Sequence, residues 1–336
     1  MKKILIIKPG AIGDLLHLTP VIRALRKKLQ DVQISVLVGN EASASLFKEN
    51  PNVSETIVFD KRGEHRTLGS LLALWRRIRK ERYDLVINFQ RSNLKAWFLA
   101  TAAFPCRLLV YHKAKDRIIH AVVNHLETVA PLGISPTDVE LELELFTSAD
   151  DDSFAAGLLG GPEYAGKKII CLNPGASNRI KCWSTGCFAA LADRLMDELG
   201  AVVLIIGGGN ERDLAESISA GMRNSALDMV GKLTLTQLGA VLKKCEVLVS
   251  GDTGPMHLAT AVKTPVVALF GAINPDRTGP VGQGHRVIRH DEVKCVPCNA
   301  KTCVNPAYLE CMEKITVDEV FSAVVELMRD RESVHK

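Results

Sequence analysis

The residues best suited to chemistry stand in one short stretch, Gly251–His257, whose sequence is GDTGPMH. The apolar run Val247–Val249 ends just before it, and apolar residues then resume at helical spacing, so the pattern predicts a strand, a tight loop and a helix. Asp252 or Thr253 suits the cap of that helix, which leaves backbone N–H groups at its positive end. Such an end attracts phosphate, and His257 can donate to a phosphate or a ribose. The alternative is an ordinary capped helix with a histidine satisfied in the core.

Two other loops that follow predicted strands carry residues of the same kind, Gly175–Lys181 and Gly207–Glu211. Because parallel strands end at the same edge of a sheet, these loops should converge with the first. They add the hydroxyl of Ser177, the cation of Lys181 and the carboxylate of Glu211. This set fits a nucleoside diphosphate, with Lys181 and backbone amides at the phosphates and Glu211 at the ribose. A surface lysine and a helix-capping acid are the alternatives for the two charged residues.

The first turn of the chain carries a separate candidate, Asp14. The apolar strand Lys3–Ile7 leads into the loop Lys8–Asp14, which places the carboxylate at the carboxyl edge of a sheet, where open α/β folds bind ligands. Gly10 and Gly13 have only part of the spacing of a dinucleotide fingerprint, which gives a nicotinamide site little support. Asp14 can serve as a general base or as a helix cap, and the two roles are compatible.

Strands and helices alternate along both halves of the chain, which predicts an α/β fold of doubly wound parallel sheets. A length of 336 residues favours two domains. We place the first at 1–155 and the second at 168–315, because residues 148–167 are rich in Asp, Gly, Ser and Ala and are typical of a loose connection. An amphipathic helix follows over Val317–Arg329, and we expect the segment 316–336 to pack back on the first domain; a membrane-surface or dimer contact is the alternative.

Positive charge is concentrated in residues 61–117, which contain 14 basic and 4 acidic residues. This excess predicts an anionic partner for the first domain, although solvated helix faces account for part of it. Nucleic acid fits the charge, but the chain has no recognisable nucleic-acid module. No apolar run approaches ~18 residues, and the apolar start Ile4–Ile7 is too short for a signal peptide, so we expect a cytoplasmic protein.

Four of the nine cysteines form a cluster with the pattern Cys295-x2-Cys298-x4-Cys303-x7-Cys311. The first pair has the spacing of metal ligands, but the whole pattern matches no familiar zinc or iron–sulfur motif. We therefore expect a structural cluster of reduced thiols in preference to a bound metal, and a metal analysis would decide between them.

Several of these motifs, in this order, resemble the ADP-heptose:lipopolysaccharide heptosyltransferases of glycosyltransferase family nine, most closely the heptosyltransferase II type. The motifs are Lys8–Asp14 (KPGAIGD), Asn173–Ala176 (NPGA), Lys181 with Trp183, and Gly251–His257 with Leu269–Gly271. The resemblance runs from about residue 2 to about residue 325. It implies a GT-B architecture, in which two Rossmann-like domains face each other across a cleft, with the acceptor on the first and the nucleotide-sugar on the second.

The resemblance further implies an inverting transfer of heptose that requires no metal or other cofactor. ADP-heptose would be the donor, and the acceptor would be an anionic glycolipid, the Kdo or heptosyl-Kdo2 inner core of lipid A. Asp14 would be the general base, with Lys8 beside the reacting centre. The residues that would bind the donor are Ser177, Lys181, Glu211, Asp252, Thr253, Gly254 and His257, and those that would contact the acceptor are Gly13, Arg91, Lys95, Lys113 and Arg117. Around Ser177 the chain has Ala-Ser-Asn where some relatives have a Thr-Thr-type pair, which weakens the case for its contact with the diphosphate.

Two other function classes stay open. One is a GT-B enzyme that uses another nucleotide-sugar, either a transferase for a different sugar or an epimerase, although the chain shows no separate acid/base set for an epimerase. The other is a non-catalytic module that binds a nucleotide-sugar, which Asp14 beside two glycines disfavours. We expect no nucleic-acid partner, and a peripheral contact with the inner face of the inner membrane is compatible with a lipid acceptor.

Overall fold

The computed structural model describes residues 1–90, 93–114 and 116–334, and these divide between Phe146 and Thr147 into two units. Each unit has its own parallel sheet covered by helices. The first unit therefore ends before residue 155, where we expected the boundary. Within the described ranges, none of the helices is long and apolar enough to cross a membrane.

The first sheet has short strands made almost entirely of apolar residues, because helices cover both faces of a parallel sheet. Its strands are β1 (Lys3–Ile7), β2 (Gln33–Val38), β3 (Glu55–Val58), β4 (Leu85–Asn88) and β5 (Arg107–Val110). All pairs are parallel, in the order β3-β2-β1-β4-β5. The chain winds outward in opposite directions from β1 and β4, so the loops after these two strands lie at the switch point where such folds bind ligands.

Four of the six helices described in the first unit begin at a polar side chain that accepts a hydrogen bond from a free N–H group of the first turn. Asn40 accepts a hydrogen bond from the backbone of Ser43 at 2.8 Å, and Asn93 does the same for Lys95 at 3.1 Å. The helices are α1 (Ile12–Leu16), α2 (Thr19–Lys28), α3 (Glu41–Lys48), α4 (Leu68–Glu81), α5 (Leu94–Thr101) and α6 (Ala121–Thr128).

The second sheet repeats this architecture with one more strand. Its strands are β6 (Ile169–Asn173), β7 (Val202–Ile205), β8 (Leu227–Asp228), β9 (Val247–Gly251), β10 (Val266–Leu269) and β11 (Arg286–Ile288). They are all parallel, in the order β11-β10-β9-β6-β7-β8, and the switch point lies between β9 and β6. The two doubly wound parallel sheets confirm the expected fold class.

The helices of the second unit cover both faces of this sheet. They are α7 (Ala149–Leu159), α8 (Thr185–Leu199), α9 (Arg212–Gly221), α10 (Leu235–Lys243), α11 (Gly254–Ala261), α12 (Pro275–Thr278), α13 (Glu310–Glu313) and α14 (Val317–Val334). The core on one face joins the fully buried residues Leu172, Leu191 and Val249 to apolar residues of α14.

Helix α7 stands where the composition of residues 148–167 predicted a loose connection. Ser148 and Asp151 form a capping box, in which each side chain accepts from the other residue's backbone N–H at 3.1 Å. Acidic residues in a first turn also suit the positive end of a helix. The helix packs on α10, where Thr236 Oγ1 donates to Asp151 Oδ1 at 3.0 Å. Acidic residues that look like a solvated linker in the sequence therefore start a helix of the second unit.

Helix α14 belongs to the second unit and packs in its core. Its apolar residues Val320, Val324 and Leu327 are buried in the same core as α8 and the sheet. At its start, the Arg194 guanidinium of α8 lies 4.0 Å from the ring centre of Phe321. The apolar face of the helix is therefore buried within the second unit over residues 320–328.

Candidate functional site

Asn173, the last residue of β6, ties together two of the loops that the sequence predicted to converge. Its amide nitrogen Nδ2 lies 3.2 Å from the Gly175 carbonyl oxygen, 2.9 Å from Ser250 Oγ and 3.0 Å from Thr253 Oγ1. The side chain is buried, with 2% of the residue exposed, so these contacts replace water. The expectation that the loops after β6 and β9 meet is confirmed, although we assigned Asn173 no role of its own.

A cation, a carboxylate and an imidazole lie side by side in these loops. Lys181 Nζ is 2.6 Å from Asp252 Oδ2, and His257 Nε2 is 3.9 Å from Asp252 Oδ1. The exposed fractions of the three side chains are 20%, 11% and 6%, so the charges act on each other at reduced screening. Lys181 and Asp252 were predicted to share a site, and the structure joins them directly.

Glu211 occupies the space beside two glycines at the same edge of the sheet. A Cβ atom on Gly175 would stand 1.9 Å from Glu211 Oε1, and one on Gly207 would stand 2.6 Å from Oε2. The Gly208 backbone N–H also donates to Oε2 at 2.7 Å, so Glu211 acts as the helix-capping acid as well. Any side chain in place of Gly175 or Gly207 would displace this carboxylate.

The N-terminus of α11 lies within this cluster. Thr253 is the cap residue of α11 by position, but its side chain makes no capping hydrogen bond because Oγ1 contacts Asn173 and Ser250 instead. The first turn, which begins at Gly254, therefore presents N–H groups that its cap side chain does not satisfy. Ser177 is exposed in the neighbouring loop. Together, the Lys181 cation, the N–H groups of the first turn of α11 and the Glu211 carboxylate can bind an anion that also carries hydroxyl groups.

In the first unit, Lys8 and Asp14 form an ion pair after β1. Lys8 Nζ is 3.6 Å from Asp14 Oδ1, and the exposed fractions of the two side chains are 7% and 49%. Burial lowers the pKa of Lys8, and the neighbouring charge of Asp14 opposes that shift. Gly10 leaves room for the pair, because a Cβ there would stand 3.2 Å from Lys8 Cε. Gly13 is buried in α1. Asp14 thus offers a half-exposed carboxylate held beside a buried cation.

Aromatic side chains lie near Lys8, and reasoning from the sequence did not single them out. Lys8 Nζ lies 5.7 Å from the ring centre of Tyr111, which follows the unexpected strand β5. His125 of α6 meets the rings of Tyr111 and Phe89 edge-on, each at 5.0 Å between centres. Burial, and then the charge of Lys8, lowers the pKa of His125 to about 3. His125 is therefore neutral at pH 7 and adds no charge beside Lys8.

The predicted acceptor residues are placed unequally. Lys113 and Arg117 both line an open groove of about 930 Å³ in the first unit, together with Asn124 and Glu127. Arg117 donates to both carboxylate oxygens of Glu127, at 2.8 and 2.9 Å. Lys95 lies on α5 and is not among the residues that line this groove. The fifth predicted contact, Arg91, lies outside the described residues.

The chain is similar to proteins of a known enzyme family. Residues 71–309 match the model of glycosyltransferase family 9 (heptosyltransferase). The chain is 27% identical over 335 residues to lipooligosaccharide heptosyltransferase 2 of Campylobacter jejuni, which covers 98% of this chain and 99% of that protein.

Solved structures agree with this match at the level of the fold. The structure of the glycosyl transferase family 9 protein of Veillonella parvula gives a TM-score of 0.85 at 24% identity and covers 98% of each chain. The ADP-heptose lps heptosyltransferase II of Escherichia coli gives a TM-score of 0.81 at 23% identity, over 99% of this chain and all of that one.

Proposed function

Because this chain belongs to glycosyltransferase family 9, we propose that it is an inverting, metal-independent heptosyltransferase that adds L-glycero-D-manno-heptose from ADP-heptose to the inner core of lipopolysaccharide. The acceptor in this proposal is the Kdo or heptosyl-Kdo2 part of lipid A. Enzymes of this family are glycosyltransferases, and the relative from Campylobacter is named for transfer to lipooligosaccharide. We expect the protein to work at the inner face of the inner membrane, where it meets a lipid acceptor.

The observation that carries the proposal is the group of Lys181, Asp252 and His257 at the N-terminus of α11. A departing ADP develops negative charge on its diphosphate, and a preorganised cation with N–H groups stabilises that charge in the transition state. Lys181 and the first turn of α11 would bind the diphosphate, and Glu211 would accept from the ribose hydroxyls. Lys181 already has a carboxylate partner 2.6 Å away, so the diphosphate would share or replace that contact.

Asp14 is the group we propose to remove the proton from the acceptor hydroxyl. The Asp14 carboxylate lies 3.6 Å from Lys8 Nζ, and its half-exposed side chain is within reach of a substrate. In a single displacement the acceptor oxygen bonds to the anomeric carbon of heptose while the bond from that carbon to the diphosphate oxygen breaks on the opposite face. The proton goes to Asp14, the electron pair goes to ADP, and the configuration inverts.

Lys113 and Arg117 are proposed as contacts of the phosphorylated, Kdo-bearing acceptor, because both cations line one groove, in which Asp116 and Glu127 also lie. Reversing both, Lys113→Glu with Arg117→Glu, should raise the Michaelis constant for the acceptor and leave that for ADP-heptose unchanged. Steady-state kinetics with each substrate varied in turn measures the two constants. Equal effects on both would contradict the assignment of this groove.

The first test of the donor is calorimetric titration with ADP, UDP and GDP, each with and without magnesium. Selective binding of ADP that does not depend on magnesium supports the proposal. Preference for UDP or GDP would keep the enzyme class and replace heptose by another sugar, which is the alternative left open by the sequence.

The test of the mechanism is Asp14→Asn. We expect turnover to fall by at least about 10²- to 10⁴-fold, the usual contribution of a general base, while ADP affinity stays near that of the wild type. Glu49→Gln, which neutralises an exposed acid at the end of α3, is the matched control and should keep full activity. Retained turnover in Asp14→Asn would show that Asp14 is not the general base. If the wild-type chain binds ADP but transfers no sugar, the alternative of a non-catalytic module that binds a nucleotide-sugar is favoured.

A further inference from the structure

The four cysteines of the cluster converge in space. Cys295, Cys298, Cys303 and Cys311 all line one small cavity of the second unit, together with apolar side chains and Glu310. The cavity holds about 10 Å³, close to the least room that one water-sized occupant needs. The sequence spacing alone did not show that the two later cysteines return to the first pair.

Two of these sulfur atoms accept hydrogen bonds from N–H groups. Asn305 Nδ2 donates to Cys295 Sγ at 3.5 Å, and the Leu309 backbone N–H donates to Cys303 Sγ at 3.3 Å. Leu309 has a φ of 58°, a left-handed conformation that a bulky residue rarely adopts. Neutral thiols are weak acceptors, whereas thiolates bound to a metal are regularly supported by such N–H donors.

Four cysteine side chains that line one cavity are a set of soft sulfur donors, which suits a thiophilic metal. A divalent metal bound there would replace the thiol protons and neutralise half of the charge of four thiolates.

We propose that Cys295, Cys298, Cys303 and Cys311 bind one thiophilic metal centre, either Zn²⁺ or iron, in place of the structural thiols that the sequence led us to expect. Among the described residues, no three His, Cys, Asp or Glu side chains already surround a single ion position. Metal binding therefore draws the sulfur atoms inward around the cavity by side-chain rotation, until each lies within bonding distance, ~2.3 Å for zinc.

The centre would also hold the loop that carries Lys181. Asn178 Nδ2 donates to the Lys301 carbonyl oxygen at 2.6 Å, and Ile180 lines the cavity beside the cysteines. On the other side, the Asn299 backbone N–H donates to the Ala272 carbonyl oxygen at 2.7 Å. The cysteine segment therefore clamps residues 178–180, next to the proposed diphosphate contact. This second part of the inference rests on the proposed function, whereas metal binding itself does not.

The direct test is elemental analysis of the full chain, purified without chelator and under nitrogen. We expect one zinc or iron per chain, or, for an iron–sulfur cluster, several irons with matching sulfide and a visible absorption band. Cys298→Ser and Cys303→Ser should each lose the metal, while Cys106→Ser, a cysteine of the first unit, should keep it. Metal-free wild type, or metal retained in both cluster variants, would overturn the proposal.

A second measurement uses the wild type alone, in case the variants do not fold. Chelator treatment should release the metal and make four additional thiols reactive, and Co²⁺ added afterwards should give thiolate-to-cobalt charge-transfer absorption. No additional reactive thiols and no such band would contradict a tetrathiolate centre.

The effect on the loop is measured by ADP titration before and after metal removal. We expect ADP affinity to fall by about tenfold, which corresponds to one misplaced charge-assisted hydrogen bond. A bound metal whose removal leaves ADP affinity unchanged would overturn only the clamping role. If the intact, metal-loaded chain does not bind ADP, the donor assignment fails and the metal site stands.

Discussion

Replacing His125 with glutamine should reduce the loss of stability that this protein suffers in mild acid. His125 is buried to 1% exposure among Phe89, Tyr111 and Lys8, and glutamine can keep a hydrogen bond to the carbonyl oxygen of His17. The pKa of His125 falls from its ordinary value of 6.5 to about 3, first because of burial and then because of the Lys8 charge. Glutamine has no proton to gain in this range.

The sign and size of the effect follow from linkage. Between pH 6.5 and about 3 the unfolded chain binds a proton at His125 that the folded chain excludes, so stability is greatest above pH 6.5 and falls as the pH is lowered. From pH 7.5 to pH 5 the expected loss from this one group is about 2 kcal/mol, and it reaches about 4 kcal/mol near pH 3. Whole domains have only about 5–15 kcal/mol to lose, so the difference is measurable.

The assay is urea unfolding of the wild type and of His125→Gln at pH 7.5 and pH 5. The variant should be less stable at pH 7.5 through lost packing, but its further loss at pH 5 should be smaller than that of the wild type by about 2 kcal/mol. The control is Val122→Ala, which truncates a buried residue of the same helix that does not titrate. It should lower the free energy of unfolding by the same amount at both pH values. Equal acid sensitivity of the wild type and His125→Gln would refute the reasoning.

Two further predictions concern the donor residues. Lys181→Met should weaken ADP binding by about 10- to 100-fold, which is the usual contribution of one charge-assisted hydrogen bond to phosphate. The control is Lys243→Met, which removes a surface lysine paired with an acid and should change ADP affinity little. Equal affinities of the two variants in calorimetric titration would contradict the phosphate role of Lys181. Gly175→Ala should push the Glu211 carboxylate aside and weaken ADP binding by about tenfold, and it should lower stability by about 1 kcal/mol because the cap at the Gly208 N–H is lost. Gly157→Ala, in an open position of α7, should leave ADP affinity unchanged and stabilise the helix by about 0.5–1 kcal/mol.

The sequence predicted the central strands well because each is a continuous apolar run. The strand Lys3–Ile7 has its expected bounds, and the run at Val247 ends within two residues of its expected end. Two of the four edge strands, Arg107–Val110 and Arg286–Ile288, were missed, because they are short, begin with arginine and are only half-buried. A strand at the edge of a sheet lacks the apolar signal of a central one.

The missed edge strand explains the missed site residues of the first unit. Tyr111 follows β5, so without that strand nothing placed its ring near Lys8. In the second unit the convergence of Lys181 with Asp252 was predictable, because both loops follow central parallel strands. The return of Cys303 and Cys311 to the first cysteine pair was not predictable, since spacing does not define the path of an irregular segment.

The packing of α14 has a consequence for synthesis on the ribosome. The first unit ends at Phe146, and residues 317–334 belong to the second unit. The first unit can therefore fold while the rest of the chain is still being synthesised. The second unit cannot complete its core until α14 has emerged, because Val320, Val324 and Leu327 fill one face of its sheet. During that interval, exposed apolar surface on the nascent second unit is the part of this protein most in need of a chaperone.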